Sequence, residues 1–479
     1  MGFEPPMTGQ RVLGRHKAAP IRALLGALLC AMFPLITQAE TLRYKNIDHG
    51  LLSQKIDHQG RVAGTFQQRY TIVRDYSHDA SQAPVLNFIC NTTACDEKSL
   101  PWGVALLARE IGATMVLLET RFLGQSQPFG DLSVEKLGLL TTDQVVDDLA
   151  DFQKFVRVNL GLRGAWLNYG SSWSGRVATF FAAKYPRLSD GTIASSAPLR
   201  PDRGLGLGYT TKAFGVLPAA CLSKIEMAIA AVDSTTADLP VRNGSPQTSL
   251  RDSQRFLAVA LLNATLRGFG NEVCEQAAAA DDESQLLDYL TMGMVPKIFG
   301  PGAGQVDVHG VSDVKLSSST VESGARQAAW LKCTEYRNSI RLEPGPGIPL
   351  LRDLLGTSIE DGLSECKELF GITTYPDSEK VFSKFLAPIL SGQESRILFV
   401  NPFDDPWYVD TFNEDFVKRH PAMKAKSYDF RRDPGEKFLA FHGRDTLGLK
   451  YPADVRVRKV ILDSVRTWLA QARTQGLVP

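Results

Sequence analysis

No C-x-x-C pair occurs in the sequence, so neither a zinc ribbon nor a thiol-redox couple has local support. No basic run or stripe stands out either. The 53 Lys+Arg are balanced by 52 Asp+Glu, which leaves nucleic-acid binding and polybasic membrane contact without a footprint. Internal repeats and long low-complexity segments are absent, so repeat and disordered classes are not indicated. The apolar run "ALLGALLCAMFPLIT" near the N-terminus is too short to span a bilayer comfortably. Histidine is scarce, at seven residues, which narrows any search for a general base.

That apolar run follows Arg11, Arg15, Lys17 and Arg22 and precedes small residues at Thr37 and Ala39. The pattern reads as a signal peptide over residues 1–39, cut near Ala39, and implies export to the periplasm or outside the cell. Its removal takes the formal charge from +1 to about −2, since four basic residues and Glu4 leave with it. The remainder, free of membrane segments, keeps Cys90, Cys95, Cys221, Cys274, Cys333 and Cys366. An even count after an export signal favours disulfides, although six cysteines allow fifteen pairings. Cys90 with Cys95, and the other four among themselves, is the expected arrangement. A composition of 44% hydrophobic and 22% charged residues describes a globular protein with ample core.

Five segments read as buried strands: "VLNFIC" (85–90), "TMVLLET" (114–120), "AWLNY" (165–169), "TIASSA" (192–197) and "RILFVN" (396–401). Helical patterns lie between most of them. "TTDQVVDDLADFQKFVRVNL" opens with Thr141 and Gln144 in capping-box spacing, and "GRVATFFAAKYP" stops at Pro186. Strands alternating with helices imply a mostly parallel sheet covered on both faces, an α/β fold. From about 201 to 384 the text is helical, broken by Gly/Pro-rich loops, before the α/β pattern resumes. The simplest account is a helical domain inserted into an α/β core of residues 40–200 and 385–479.

The stretch "LNYGSSWSGRVATFFAAKYP" (167–186) carries the chemistry. Strand, sharp Gly/Ser turn and helix is the layout of a G-x-S-x-G nucleophile elbow, with Ser172 central and Ser174 in place of the second glycine. The backbone N–H of Trp173 would then serve one oxyanion donor position. A second would come from the loop after "VLNFIC", near Asn91. An ordinary turn with serine caps gives similar text. A serine nucleophile needs a base and an orienting acid, in the order Ser, Asp or Glu, His for this layout. His420, in "FVKRHPAMK", reads as a solvent-facing helix cap. His442, in "GEKFLAFHGRDTLGL", sits in a loop and is the expected base. After the strand "RILFVN", "NPFDDPW" offers Asp404 and Asp405, and Asp405 is the expected acid.

Several longer motifs extend this set. "GSSWSG", "KYP" and "GTIASSAP" resemble the elbow and its sequel in serine peptidase family S28, the prolyl carboxypeptidase and dipeptidyl peptidase II family. "ETRFLGQSQPFG" from Glu119, "LTTDQV", "WLKCTEY" from Trp330 and "NPFDDPW" are similar to that family's motifs in the same order. The resemblance implies an α/β-hydrolase fold with an inserted helical cap domain and a Ser172, Asp405, His442 triad. It implies cleavage beside proline, or a small residue, near a peptide chain end. Trp407, Arg176, Trp330 and Glu119 become the candidates for the substrate pocket. Peptides are the expected substrates, with no metal or cofactor, and a homodimer is the state relatives suggest. Three departures are visible, one of them a longer spacing from Asp405 to His442 than the family usually has. Ser171 and Ser174 replace elbow glycines, and Arg176 stands where the family carries an apolar residue that helps line the proline pocket. A guanidinium there suits proline only if it snorkels away or pairs with an acid. The rival readings are an esterase or lipase on the same fold, and a secreted binding protein whose site has decayed.

Overall fold

All five segments read as buried strands are strands in the structure, a computed structural model. It describes residues 44–200, 214–233, 250–266, 268–299, 324–336, 349–355, 359–431 and 452–474. The five are β3 (Val85–Phe88), β4 (Thr114–Leu118), β5 (Trp166–Ser171), β6 (Gly191–Ser195) and β7 (Ile397–Pro402). Three more join them: β1 (Ile47–Lys55), β2 (Thr65–Val73) and β8 (Lys426–Phe430). Among the described residues these form one sheet in the order β1-β2-β4-β3-β5-β6-β7-β8. β2 is antiparallel to both neighbours and every other pair is parallel.

The extra strands escape a search for apolar runs because they lie at or near the edges. β1 exposes most of its residues and β8 buries only Phe430 fully. β3 to β7 are buried on both faces, which is why they read as continuous apolar runs.

Alternate side chains of these strands feed two cores. Val85, Trp166, Ala194 and Ile397 face one core, and Leu86, Leu167, Ile193 and Leu398 face the other. The second is covered by helices α1 (Trp102–Ile111) and, at the far end of the chain, Pro452–Thr474, through Val104, Leu107, Val457, Ile461 and Val465. The first is covered by α2 (Thr142–Asn159) and α3 (Trp173–Lys184). α2 buries Val145, Leu149, Phe152 and Val156, the one-face spacing of an amphipathic helix. Its N-cap is Thr141, whose side chain accepts from the Gln144 N–H at 3.3 Å. The reciprocal half of a capping box does not form. Gln144 is turned instead toward Asp57, His58 and Arg121, so a tertiary network outcompetes the local cap.

Between β6 and β7 the described residues are helical: α4 (Ala219–Ala230), α5 (Leu250–Leu266), α6 (Gly270–Ala279), α7 (Ala325–Leu331), α8 (Ile359–Phe370) and α9 (Ser378–Leu390), with shorter turns. Disulfides join Cys221 to Cys274 and Cys333 to Cys366, while Cys90–Cys95 closes a loop after β3. α9 packs on α3, with Phe385 stacked on Phe180 at 4.4 Å. No described helix is long and apolar enough to cross a membrane.

Candidate active site

The chain leaves β3 toward β4 on one side, while β5 flanks β3 on the other. Such a reversal opens a crevice at the carboxyl ends of the two strands. The loop after β3 carries Asn91 and the turn after β5 carries Ser172. Across β6, in the register Ser171–Ser195–Val400, the loop after β7 carries Asp405. Three of the residues singled out from sequence thus leave the same end of the sheet.

Ser172 sits at the apex of the β5–α3 turn with φ 63° and ψ −128°. A non-glycine residue in this region stores about 1–3 kcal/mol of strain and marks functional turns. The hydroxyl makes no cap bond to the helix that Ser172 opens, so it is not an ordinary serine cap. The flanking glycines are required by close approach. A Cβ at Gly170 would lie 2.1 Å from the Ser174 carbonyl oxygen, and one at Gly175 would lie 2.9 Å from the Ser195 carbonyl oxygen. Ser172 N–H donates to that same Ser195 carbonyl at 3.0 Å. Ser174 does more than fill a glycine position. Its hydroxyl accepts from the Ser171 N–H at 3.0 Å and donates to the Ser171 carbonyl at 2.8 Å, bracing the elbow from inside.

Asp405 is fully buried, whereas Asp404 is half-buried. One Asp405 oxygen accepts from the Trp407 N–H at 2.9 Å, and its backbone closes a turn onto Pro402 and Tyr408. A second layer supports this loop. The Tyr408 hydroxyl donates to Asp429 at 2.6 Å, and Asn401 donates to the same carboxylate at 3.2 Å. Burial pushes the Asp429 carboxyl and the Tyr408 hydroxyl above their ordinary ranges. His420 caps the short helix Glu414–Arg419, stacked on Phe416, with Nδ1 2.8 Å from the Phe416 carbonyl oxygen. His442 lies outside the described residues.

The Asn91 side-chain oxygen turns back to accept from the Thr92 N–H at 3.0 Å. Glu119 is buried, and its carboxylate accepts from Arg69, the Cys95 N–H, the Gln125 N–H and the Ser126 hydroxyl. Trp330 is also buried and donates to the Leu140 carbonyl at 3.2 Å.

Arg176 is buried. Its Nε donates to the Pro198 carbonyl at 2.7 Å, and its guanidinium lies 4.1 Å from the Tyr336 ring centroid and 5.2 Å from that of Phe382. Its charge acts on the carboxyl of the buried Glu335. Desolvation pushes the Glu335 carboxyl up, while Thr142 contacts and the Arg176 charge pull it back. Glu335 and Tyr336 belong to the "WLKCTEY" motif, quoted from sequence without a role. Only the structure brings them against the elbow helix.

A mostly parallel, helix-covered sheet bearing a strained serine elbow defines an α/β-hydrolase fold. Residues 54–237 match the family described as serine carboxypeptidase S28. It is 34% identical over 179 residues to the lysosomal Pro-X carboxypeptidase of Bos taurus, covering 35% of this chain and 33% of that one. It is 26% identical over 410 residues to the thymus-specific serine protease of Mus musculus, covering 76% and 77%. Several curated relatives are matched over about a third or less of their own length. An acetylester hydrolase structure from Corynebacterium glutamicum aligns with TM-score 0.41 and 10% identity over 87% of this chain and 96% of that one. The fold assignment rests on this chain's own strand order.

Proposed function

We propose that the protein is an exported serine exopeptidase that cleaves peptides after proline, or a small residue, near a chain end. In this reading His442 takes the Ser172 proton as Ser172 Oγ attacks the scissile carbonyl. Asp405 orients and steadies the imidazolium, and the Trp173 N–H with a backbone donor near Asn91 stabilises the oxyanion. The protonated histidine then protonates the leaving amine, and water repeats the cycle to free the acyl product. The helical insertion 201–384 acts as a cap that restricts the groove to chain ends, and residues 1–39 direct export.

The observation that carries this reading is the strained, uncapped Ser172 at the elbow apex. The match of residues 54–237 to the S28 model supports it, as do relatives named as a lysosomal Pro-X carboxypeptidase and a thymus-specific serine protease. The position of Arg176 supports the proline preference, since the guanidinium is stacked, hydrogen-bonded and facing an acid. Trp407, beside Asp405, supplies a flat wall suited to a pyrrolidine ring.

The test is product analysis by mass spectrometry on free-ended peptides with proline second from either end. The parent should release an N-terminal X-Pro dipeptide or a single C-terminal residue. Ser172→Ala should lose at least about 10³-fold in rate with an unchanged melting curve. Parent-like turnover by Ser172→Ala would overturn the elbow assignment.

A further inference from the structure

The segment Gly324–Tyr336, which ends in the motif "WLKCTEY", does two jobs where the insertion meets the core. α7 docks on the loop between β4 and α2 through three side chains. Arg326 donates to the Leu132 carbonyl at 3.1 Å, Gln327 to that of Phe122 at 2.7 Å, and Trp330 to that of Leu140. The helix starts at Gly324, where a Cβ would lie 2.4 Å from the Thr92 carbonyl oxygen, in the loop that also holds Asn91. α7 then widens into a π-helical turn, Lys332–Tyr336, tied by Cys333 to Cys366 in α8. Such turns break the α-helical register and re-aim side chains, often at functional sites. Here the adjacent residues Glu335 and Tyr336 both reach Thr142, at the start of α2.

A directed chain of hydrogen bonds follows. The indole Nε1–H of Trp173 donates to the Tyr336 hydroxyl. With the Thr142 hydroxyl donating to Glu335 Oε2 at 2.5 Å, the Tyr336 hydroxyl is left to donate to Thr142. The Thr142 N–H donates to Glu335 Oε1 at 2.9 Å. Trp173, Thr142, Glu335 and Tyr336 are all buried, and the Arg176 guanidinium lies against the Tyr336 ring. Trp173 directly follows Ser172, so the chain ends on the residue whose backbone N–H faces the oxyanion in the proposed mechanism.

We propose that Tyr336 is a positioning residue: through Trp173 Nε1 it makes oxyanion-hole geometry depend on docking of the helical insertion. The inference rests on the proposed Ser172 mechanism. Fixing the indole fixes the tilt of the peptide plane behind it, and small misplacements of such a donor cost rate without costing affinity.

The experiment measures inactivation of the full-length protein by a fluorophosphonate probe, separating the maximal rate from the half-saturating concentration, with melting temperature alongside. Tyr336→Phe should lower the maximal rate by about 10- to 100-fold with little change in half-saturation. Trp173→Phe removes the other partner of the same bond. The double variant should be no slower than the slower single one, because the two changes delete one interaction. Thr142→Ser should keep the parent rate, while Thr142→Val should behave like Tyr336→Phe. Tyr185→Phe deletes a hydroxyl bond to Asp147 at the other end of α3 and should leave the rate unchanged. Additive losses in the cycle, or parent rates in Tyr336→Phe, would overturn the proposal. A parent that does not label at all overturns the Ser172 mechanism and this inference with it.

Discussion

The sheet and the helical insertion reach the candidate site by different physical routes. From the sheet side, Ser172 and Asp405 are placed by backbone: strand register, a strained φ and glycines with no room for a side chain. From the insertion side, placement is by side chains. A few long polar groups reach core carbonyls and Thr142, and two disulfides tie helices together. Backbone placement tolerates almost no change, whereas side-chain placement can be retuned one residue at a time. Under the proposed mechanism, the insertion would be where specificity and coupling are adjusted, and the sheet edge where chemistry is fixed.

The sharpest way to break the comparison is Gly170→Ala. Its new methyl would meet the Ser174 carbonyl head-on, so a loss of about 4 kcal/mol or more is expected, with loss of probe labelling. A stable, labelled Gly170→Ala would show that the elbow backbone yields.

Arg176→Met tests the seam between the regions. It strips the stacked guanidinium and leaves the buried Glu335 facing no positive charge from that side, which should cost about 3 kcal/mol near neutral pH. Glu335 is already raised above its ordinary value by burial. Folding therefore tightens its hold on the proton relative to the unfolded chain, so its contribution to stability is full below the ordinary glutamate pKa and lost as pH rises through the folded value. Removing Arg176 raises that value further. The deficit of the variant should therefore grow as pH rises and shrink as it falls. Melting temperatures of parent and variant across pH check this, and parallel curves would separate Arg176 from Glu335.

The smallest effect is expected from Ser174→Gly, which removes the two bonds to Ser171 and restores a family-like elbow. A cost of about 1 kcal/mol, with labelling kept within a few-fold, is predicted from denaturation midpoints and probe kinetics. A collapse of labelling would make Ser174 more than a brace.

What the text alone determined is what depends on near neighbours. The five central strands were legible because burial on both faces leaves continuous apolar runs. The elbow was legible because a strand, a tight Gly/Ser turn and a helix are consecutive in the chain. The Thr141 cap and the Pro186 stop were local for the same reason. Other features waited for the fold, since they join residues far apart in sequence. Such are the strands β1, β2 and β8 at or near the sheet edges, the diversion of Gln144 away from its cap, and the satisfaction of Glu119 by four donors. Arg176 shows the division most clearly. Sequence posed the condition that it snorkel or meet an acid. Only packing could bring Pro198, Tyr336 and Glu335 around one guanidinium, because no spacing along the chain encodes which distant groups share a buried volume.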